Sequence, residues 1–285
     1  MTYELHVRRK GRVERHVDMF SPSPGYLSSM DDFYTISGTA QLTVIETSLS
    51  VNNMSLYSNL KTQTLPCWVR VMVANMRARS ARGWVELFSY QHSGTYNSQW
   101  MILDLHILDA AGPAPDVFWV EEEVPGLMIS VDMSRYLRQH SYVASNNVVY
   151  FVKTREVLNE TYYWVEDPRA RFFLGSIDSI HGMQKVMGWN DYSRSAIAKG
   201  NPTNTIMARG DLLQHHPEAF GGIDSSISFV KLYKSGMITY GRVGSTRSGR
   251  AFLLELLIFI FDGEAAPRET GLFDFVVGAS MAGQE

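Results

Sequence analysis

Apolar and polar side chains alternate along Gln99–Leu108, which places four apolar residues on one face: Met101, Leu103, Leu105 and Ile107. A period of two is the pattern of a β-strand that buries one face. Five further runs are rich in β-forming residues: Thr39–Val51, Val117–Val124, Tyr162–Val165, Ala170–Leu174 and Ile227–Tyr233. Because these strands come in groups and do not alternate strictly with helices, the sequence predicts an α+β fold, not a doubly wound parallel sheet.

Three segments have the residue spacing of short helices: Pro66–Arg79, Asp132–Gln139 and Ser179–Gly188. The first begins at a proline, which fits the first turn of a helix. Residues 1–20 are interpreted as the basic end of another helix, because apolar residues recur at helical spacing and a Ser-Pro-Ser-Pro-Gly run then breaks the pattern: Val13, Val17 and Phe20.

Composition and charge exclude several classes of protein. The net charge of −3 over 285 residues provides no overall field that would draw the chain to nucleic acid. The one cysteine, Cys67, excludes an internal disulfide and a thiolate-based metal site. The most apolar stretch, Phe252–Phe261, is interpreted as a buried strand or helix, because it is too short for a transmembrane segment. Residues 1–20 are basic without an apolar run, so no signal peptide is visible.

Familiar catalytic and ligand motifs are missing from the sequence. Gly278–Ala282 has alanine where a nucleophile elbow needs its second glycine, and there is no H-E-x-x-H zinc motif. Gly241–Gly249 lacks the Gly-Lys-Ser/Thr ending of a phosphate loop. The adjacent pair His215–His216 indicates a solvated loop, because neighbouring side chains diverge. No metal and no cofactor are expected.

Four polar segments flanked by aromatic residues are the remaining candidates for a site: Ser28–Tyr34, Ser93–Trp100, Gly188–Tyr192 and Met207–Leu212. Each supplies hydrogen-bond donors beside apolar walls, as an oxyanion hole or an acyl-binding cleft requires. The same residue types also cap helices and form Asx-turns, and for any single segment this structural role is the commoner one. The residues taken one segment at a time leave both interpretations open.

Taken together, these segments resemble the phospholipase B-like family of lysosomal and secreted proteins. The resemblance extends over about residues 22–230, and the run Ser93–Met101 is its most specific part. The other matching stretches are Pro24–Tyr34, Arg70–Met76, Glu123–Gly126, Asp167–Phe172, Trp189–Tyr192, Asn201–Pro202, Ala208–Leu212 and Gly221–Asp224.

The resemblance implies an N-terminal-nucleophile hydrolase, an αββα sandwich of two stacked antiparallel sheets between helix layers. In this interpretation residues 1–285 form a single domain, with 1–20 the remnant of an N-terminal helix and 245–285 a divergent tail. Members of the family mature by a cleavage that exposes an N-terminal cysteine, whose thiolate attacks the acyl carbon. That cysteine-led strand is expected upstream of residue 1, so the chain is expected to be N-terminally truncated and to have the missing fragment as its partner. Cys67 lies mid-chain and is not a replacement.

The implied function is a phospholipase B-like acyl hydrolase that releases fatty acids from phospholipids or related acyl esters or amides. By position in the family pattern, the expected catalytic residues are Thr95, Asn190 and Arg209, and the expected substrate-binding residues are Asp32, Asn97 and Trp100. Thr95 would line the cleft, Asn190 would donate to the oxyanion and Arg209 would orient charge. We expect Asp32, Thr95, Asn97, Asn190 and Arg209 to converge in one cleft.

A non-catalytic relative that binds lipid or another partner is the alternative, because the segment of the nucleophile is missing from the sequence. The family resemblance also implies a lysosomal or secreted location. Two sequons, at Asn53 and Asn159, would accept glycan on the secretory route.

Overall fold

The structure is a computed structural model that describes residues 2–22, 29–111, 114–140, 142–161, 180–217, 224–229, 239–241, 255–260 and 275–281. The chain divides into two compact units. The first comprises residues 1–139 and 149–161, and the second comprises residues 140–148 and 162–285. Each unit contains one antiparallel sheet.

The sheet of the first unit is a seven-stranded antiparallel meander, in which every strand pairs with the next one along the chain. Its strands are β1 (Thr2–Arg9), β2 (Arg12–Pro22), β3 (Ser29–Gly38), β4 (Leu42–Ser48), β5 (Ser98–Asp104), β6 (Phe118–Val124) and β7 (Leu127–Asp132). Strands β4 and β6 confirm the predictions for Thr39–Val51 and Val117–Val124. Every residue of β5 is buried, so both faces of the sheet centre are covered.

The helix predicted over residues 1–20 is wrong, because this segment forms the β1–β2 hairpin. Lys10 and Gly11 connect the strands with φ of 47° and 80°, and positive φ at both positions is the geometry of a two-residue hairpin turn. A spacing of four residues fits two strand repeats as well as one helical turn, so Val13 and Val17 share a face of β2. Phe20 lies at an odd spacing from Val17 and therefore points to the opposite face.

Two helices cover one face of this sheet: α1 (Cys67–Arg77) and α2 (Ala81–Phe88). Helix α1 confirms the helix predicted for Pro66–Arg79, with Pro66 at its N-cap. Ser80 caps α2, since its hydroxyl accepts a hydrogen bond from Gly83 N at 3.0 Å. The two helices bury apolar side chains against β2–β5, and the core between them includes Val71, Ala74, Trp84, Phe88, Trp100 and Ile102.

The strand predicted for Gln99–Leu108 ends earlier than its alternation suggested, and Leu105–Ala111 forms helix α3. Asp104 explains the change, because its Oδ1 accepts hydrogen bonds from His106 N at 3.1 Å and Ile107 N at 3.2 Å. A side-chain carboxylate that accepts hydrogen bonds from the backbone amides two and three residues further along is a helix N-cap. The prediction that Leu105 and Ile107 share a strand face with Met101 is therefore wrong.

The remaining helices of the first unit are a 3-10 helix (Met54–Asn59), α4 (Ser134–His140), whose last residue belongs to the second unit, and α5 (Val152–Leu158). Helix α4 confirms the helix predicted for Asp132–Gln139, and its buried residues are Ser134 and Leu137.

The second unit has a five-stranded sheet in the order β10-β9-β12-β11-β8. Its strands are β8 (Tyr142–Ser145), β9 (Asp224–Phe229), β10 (Thr239–Gly241), β11 (Glu255–Ile260) and β12 (Phe275–Met281). Helix α6 (Ile180–Met187) confirms the helix predicted for Ser179–Gly188. Strand β9 overlaps the start of the predicted strand Ile227–Tyr233, and β11 shows that Phe252–Phe261 contains a strand. The strands predicted for 162–165 and 170–174 lie outside the described residues.

Antiparallel sheets with interspersed helices confirm the predicted α+β class. The stacking of two sheets in an αββα sandwich stays a prediction, as does the N-terminal-nucleophile type. Of the helices in the described ranges, none combines the length and apolarity needed to cross a membrane.

Candidate functional site

Thr95 lies in the loop that leads into β5, and its side chain is exposed. Its Oγ1 is 2.9 Å from Ser93 Oγ, and its amide N donates to the same hydroxyl oxygen at 3.4 Å. Gly94 between them has φ of 71°, and a Cβ at this position would lie 2.8 Å from Pro125 Cα. Only glycine fits this turn, and the turn holds the Thr95 hydroxyl at the entry of the strand.

Asn97, two residues further on, is buried and anchored by its backbone. Its carbonyl oxygen accepts a hydrogen bond from Leu49 N at 2.8 Å. Its side-chain Oδ1 has no hydrogen-bond partner among the residues that the structure describes. A buried amide oxygen without a protein partner is able to accept from a water or a ligand. Thr95 and Asn97 thus lie two residues apart in the loop before β5, and their meeting in one site stays a prediction.

The structure places Trp100 in the core of the first unit, with no exposed surface. Its ring lies 5.4 Å from that of Trp84 and 5.0 Å from that of Phe88, centroid to centroid. Its Nε1 donates to Glu123 Oε1 at 3.2 Å. Asp32 belongs to β3 by its backbone, and its side chain lies outside the described residues.

Asn190 and Arg209 lie in one loop assembly of the second unit, where Met207 N donates to Trp189 O at 3.0 Å. Asn190 Nδ2 donates to Thr205 Oγ1 at 2.8 Å and to Met207 O. The guanidinium of Arg209 binds both carboxylate oxygens of Asp211, each at 2.7 Å, and this pairing lowers the pKa of Asp211.

The amide of Asn190 and the charge of Arg209 are therefore both used within the loop. Their convergence with Thr95 and Asn97 stays a prediction, because the two pairs belong to different units.

The two sequons differ in exposure. Asn53 is half-buried; its Nδ2 donates to Val157 O at 3.1 Å, and its Oδ1 accepts from Ser55 Oγ at 2.6 Å. Asn159 is exposed and ends α5 in the left-handed conformation, with φ of 57°. A glycan needs a free amide nitrogen, so Asn159 is the more accessible acceptor.

The site residues predicted from the sequence do not include three consecutive glutamates of β6: Glu121, Glu122 and Glu123. All three are fully buried. The signal was available, since three carboxylates interrupt a run of aromatic and branched residues that predicts a strand. Side chains alternate across a strand, so at least one of the three had to face a covered side. What the sequence did not show was their partners.

Glu123 is the centre of a buried polar network on the helix-covered face. Arg70 of α1 donates from Nη2 to Glu123 Oε2 at 2.6 Å, and from Nη1 to Phe88 O at 2.8 Å. The Cys67 thiol donates to Glu123 Oε1 at 3.5 Å, and Trp100 shares that oxygen. His92 Nε2 lies 3.4 Å from Glu123 Oε2, and burial, with a smaller contribution from Arg70, lowers the pKa of His92 to about 4. One cation thus compensates the Glu123 carboxylate.

Glu121, on the same face of β6, forms no ion pair with any residue that the structure describes. Ser89 Oγ donates to its Oε1 at 3.4 Å, while its Oε2 has no hydrogen-bond partner within the described part of the chain. Burial first, and then the negative charge of Glu123, raise the pKa of Glu121 well above its usual range, against the opposing effects of Ser130 and Arg70. Both effects favour the protonated form of the Glu121 carboxyl group.

Glu122 points to the opposite face and fastens the segment before α5 to the sheet. Its Oε1 accepts from Gln99 Nε2 at 2.7 Å and from Tyr150 N, and its Oε2 accepts from Phe151 N at 3.2 Å. Burial raises its pKa, and these donors oppose the shift. The glutamates form no metal centre, because no group of three His, Cys, Asp or Glu side chains within the described ranges is placed to hold an ion.

Replacing Glu121 by glutamine is expected to stabilise the protein at pH 7, since keeping this buried carboxyl group protonated costs free energy at a pH above its unfolded pKa. The folded chain binds this proton more tightly than the unfolded chain does. Stability therefore falls as the pH rises from the unfolded pKa of about 4.3 towards the raised folded pKa. The glutamine side chain has nearly the same shape as a protonated glutamate and does not titrate.

Urea unfolding at pH 5 and pH 7 measures this effect. The difference between the free energies of unfolding at pH 5 and at pH 7 should be smaller in Glu121→Gln than in the wild type. It should stay unchanged in the exposed control Glu86→Gln. Equal pH dependence in the wild type and Glu121→Gln would show that Glu121 is ionised in the folded protein.

Comparison with known proteins gives a consistent result over most of the chain. The model of the family described as Phospholipase B matches residues 1–246. Most of the segment 245–285, expected to diverge, lies beyond that match.

Among similar proteins, "Phospholipase B-like protein G" of Dictyostelium discoideum is 34% identical over 233 residues, which cover 73% of this chain and 39% of the relative. "Phospholipase B-like 1" of Bos taurus is 32% identical, over 75% of this chain and 41% of the relative. "Phospholipase B" of Crotalus adamanteus is 33% identical, over 75% and 40%. The chain thus spans about two fifths of the length of these relatives.

Proposed function

This chain belongs to the phospholipase B family, and we propose on that basis that it acts in a phospholipase B-like acyl hydrolase. The proposed reaction releases fatty acids from phospholipids or related acyl esters or amides. The observation that carries the proposal is the family match over residues 1–246, which includes all six candidate site residues.

The proposed cleft is built around the entry of β5. The hydroxyl of the exposed Thr95 offers a donor to an acyl carbonyl group. Asn97 lies two residues further on, with a buried Oδ1 that has no partner among the residues that the structure describes. We propose Thr95, Asn190 and Arg209 as catalytic residues and Asp32 and Asn97 as substrate-binding residues. Trp100, which is fully buried, supports the cleft from beneath by holding Glu123 and the aromatic core.

The nucleophile is proposed to come from an N-terminal fragment that begins with cysteine, as the resemblance to the family implies. Cys67 is unsuited to the role, since it is buried in α1 and its thiol donates to Glu123. A nucleophile has to reach substrate as an exposed thiolate.

A non-catalytic, lipid-binding relative is the second candidate, and one observation favours it. The Asn190 amide and the Arg209 guanidinium are both engaged by their own loop, through Thr205 and Asp211. An oxyanion hole needs donors that are aimed at the reacting atom. In a non-catalytic relative these residues would only stabilise the loop.

The chain of 285 residues is expected to bind acyl ligands and to show no measurable lipid hydrolysis by itself. Without a covalent nucleophile, the remaining donors retain roughly 10³-fold acceleration over water in well-studied hydrolases. Fatty-acid release should appear when the cysteine-led N-terminal fragment of a relative is co-expressed with the chain. Changing that cysteine to alanine is the matched control and should abolish the release.

Two outcomes contradict the proposal. Strong hydrolysis by the chain alone would place the nucleophile within these residues. Thr2→Ala would then be tested first, because Thr2 becomes the N-terminal residue if Met1 is removed and threonine can act as an N-terminal nucleophile. Failure of the correctly assembled pair to hydrolyse any acyl ester or amide would favour the non-catalytic relative.

We propose a lysosomal or secreted location, with Asn159 as the glycosylated sequon because its side chain is exposed. Expression in a secretory host should yield a protein whose mass falls on treatment with an N-glycosidase. The shift is expected to disappear in Asn159→Gln and to persist in Asn53→Gln.

A further inference from the structure

Large apolar side chains are exposed together around the start of α1. Of the ten exposed large hydrophobic residues in the described ranges, six belong to residues 54–90. Trp68 is 56% exposed and Tyr90 is 69% exposed. We call the six the apolar patch: Met54, Tyr57, Leu60, Leu65, Trp68 and Tyr90. Single exposed apolar residues are common, whereas a cluster of this kind marks an interaction surface.

Backbone contacts hold the parts of the patch next to one another. Leu65 N donates to Gln91 O at 3.0 Å, so the segment before α1 runs beside Tyr90. Leu60 lies against Gly94, since a Cβ added there would be 3.2 Å from Leu60 Cδ2. The 3-10 helix that carries Met54 and Tyr57 leads directly into this segment.

The outward side of α1 continues the patch. One face of this helix is covered by the core. Four apolar residues on its other face are only half-buried: Val69, Met72, Val73 and Met76. Apolar surface therefore extends from Trp68 along the helix. Trp and Tyr at the border between apolar and polar surroundings are the residues that membrane interfaces favour.

The charge around the patch suits an anionic surface. No Asp or Glu occurs in the sequence between Glu46 and Glu86, while this stretch contains one lysine and four arginines. Three of the arginines are paired with glutamates: Arg70 with Glu123, Arg79 with Glu14 and Arg82 with Glu86. The exposed Lys61, which follows Leu60 directly, and the exposed Arg77 are the basic residues left to meet an anionic surface. A cation next to exposed aromatic rings is attracted to anionic headgroups, at about 1 kcal/mol per basic residue.

We propose that the apolar patch docks the first unit on the surface of an anionic phospholipid bilayer, with Trp68 and Tyr90 at the level of the headgroups and Lys61 beside them. The inference rests on the proposed function for its choice of a lipid over a protein partner. Docking would deliver the unit to substrate that is packed in a membrane, while cleavage would take place elsewhere in the protein.

Sedimentation with vesicles of phosphatidylcholine, with and without phosphatidylglycerol, tests the proposal without any turnover. The wild-type chain should partition onto both and more strongly onto the anionic vesicles. The double variant Trp68→Ala with Tyr90→Ala should bind at least about tenfold more weakly, because apolar area that enters the interface is lost. Trp68→Phe should retain most of the binding, and Lys61→Glu should lower binding to the anionic vesicles alone.

Val13→Ser is the matched control, because Val13 is also a largely exposed apolar residue, at 58%, and lies in the β1–β2 hairpin outside the patch. It should bind like the wild type. Absence of wild-type binding to either vesicle overturns the proposal, as does an equal loss in the control. Self-association that disappears in the double variant, without vesicle binding, would make the patch a protein interface.

Hydrolysis of a dissolved short-chain ester tests the proposed function separately from docking, and it is measured on the chain co-expressed with the cysteine-led N-terminal fragment. Loss of vesicle binding with hydrolysis of the dissolved ester intact identifies the docking surface. Vesicle binding without any hydrolysis leaves the docking proposal standing and contradicts only the proposed function.

Discussion

Replacing Arg70 by alanine is expected to lower the free energy of unfolding by about 3–5 kcal/mol, because it leaves a buried carboxylate without its cation. Arg70 and Glu123 are both fully buried and lie 2.6 Å apart. The guanidinium also donates to Phe88 O and lies 4.2 Å from the centre of the Phe88 ring. Urea unfolding followed by circular dichroism at pH 7 measures the loss.

Two comparisons isolate the buried charge. Arg82→Ala removes an exposed ion pair with Glu86 on α2 and should change stability by less than about 1 kcal/mol. The pair Arg70→Met with Glu123→Gln removes both charges and should regain much of the stability that Arg70→Ala loses. If Arg70→Ala costs no more than Arg82→Ala, the two charged groups are hydrated and the buried network is not present.

Trp100→Ala is expected to destabilise the protein by about 3–5 kcal/mol, the range for an aromatic side chain removed from a packed core. The substitution opens a cavity between Trp84 and Phe88 and removes the hydrogen bond to Glu123 Oε1. Thermal unfolding and urea unfolding should agree on the loss.

The control is a tryptophan of the same chain in a different environment. Trp68→Ala should change stability by less than about 0.5 kcal/mol, because the ring is largely exposed. Trp100→Phe keeps most of the volume and should cost less than Trp100→Ala. If Trp100→Ala is as stable as Trp68→Ala, the Trp100 ring is accessible to solvent. The substrate-binding role predicted for Trp100 from the sequence would then explain it better than a role in the core.

Local patterns predicted those elements whose periodicity only one structure can satisfy. Helices α1, α4 and α6 and strands β4 and β6 lie where the spacing and the Pro, Gly and Asp signals placed them. The grouping of strands predicted the α+β class for the same reason. These patterns are local, and burial of one face requires them.

Prediction failed where one spacing fits two structures or where a side chain ends an element. Val13 and Val17 recur at an interval that suits both a helix and a strand, and the Lys10–Gly11 turn resolved the ambiguity in favour of a hairpin. The alternation after Gln99 continues past Asp104, but that carboxylate caps α3 and stops the strand.

The sequence by itself determined the family and the α+β class, because motifs and periodicity depend on residues that are close together in the chain. Only the tertiary structure decided which polar groups are buried and what they bind. Arg70 reaches Glu123 from 53 positions away, and no local pattern encodes that pairing. The same folding buried Trp100 and left Trp68 exposed, since the exposure of an aromatic ring depends on what the rest of the chain packs over it.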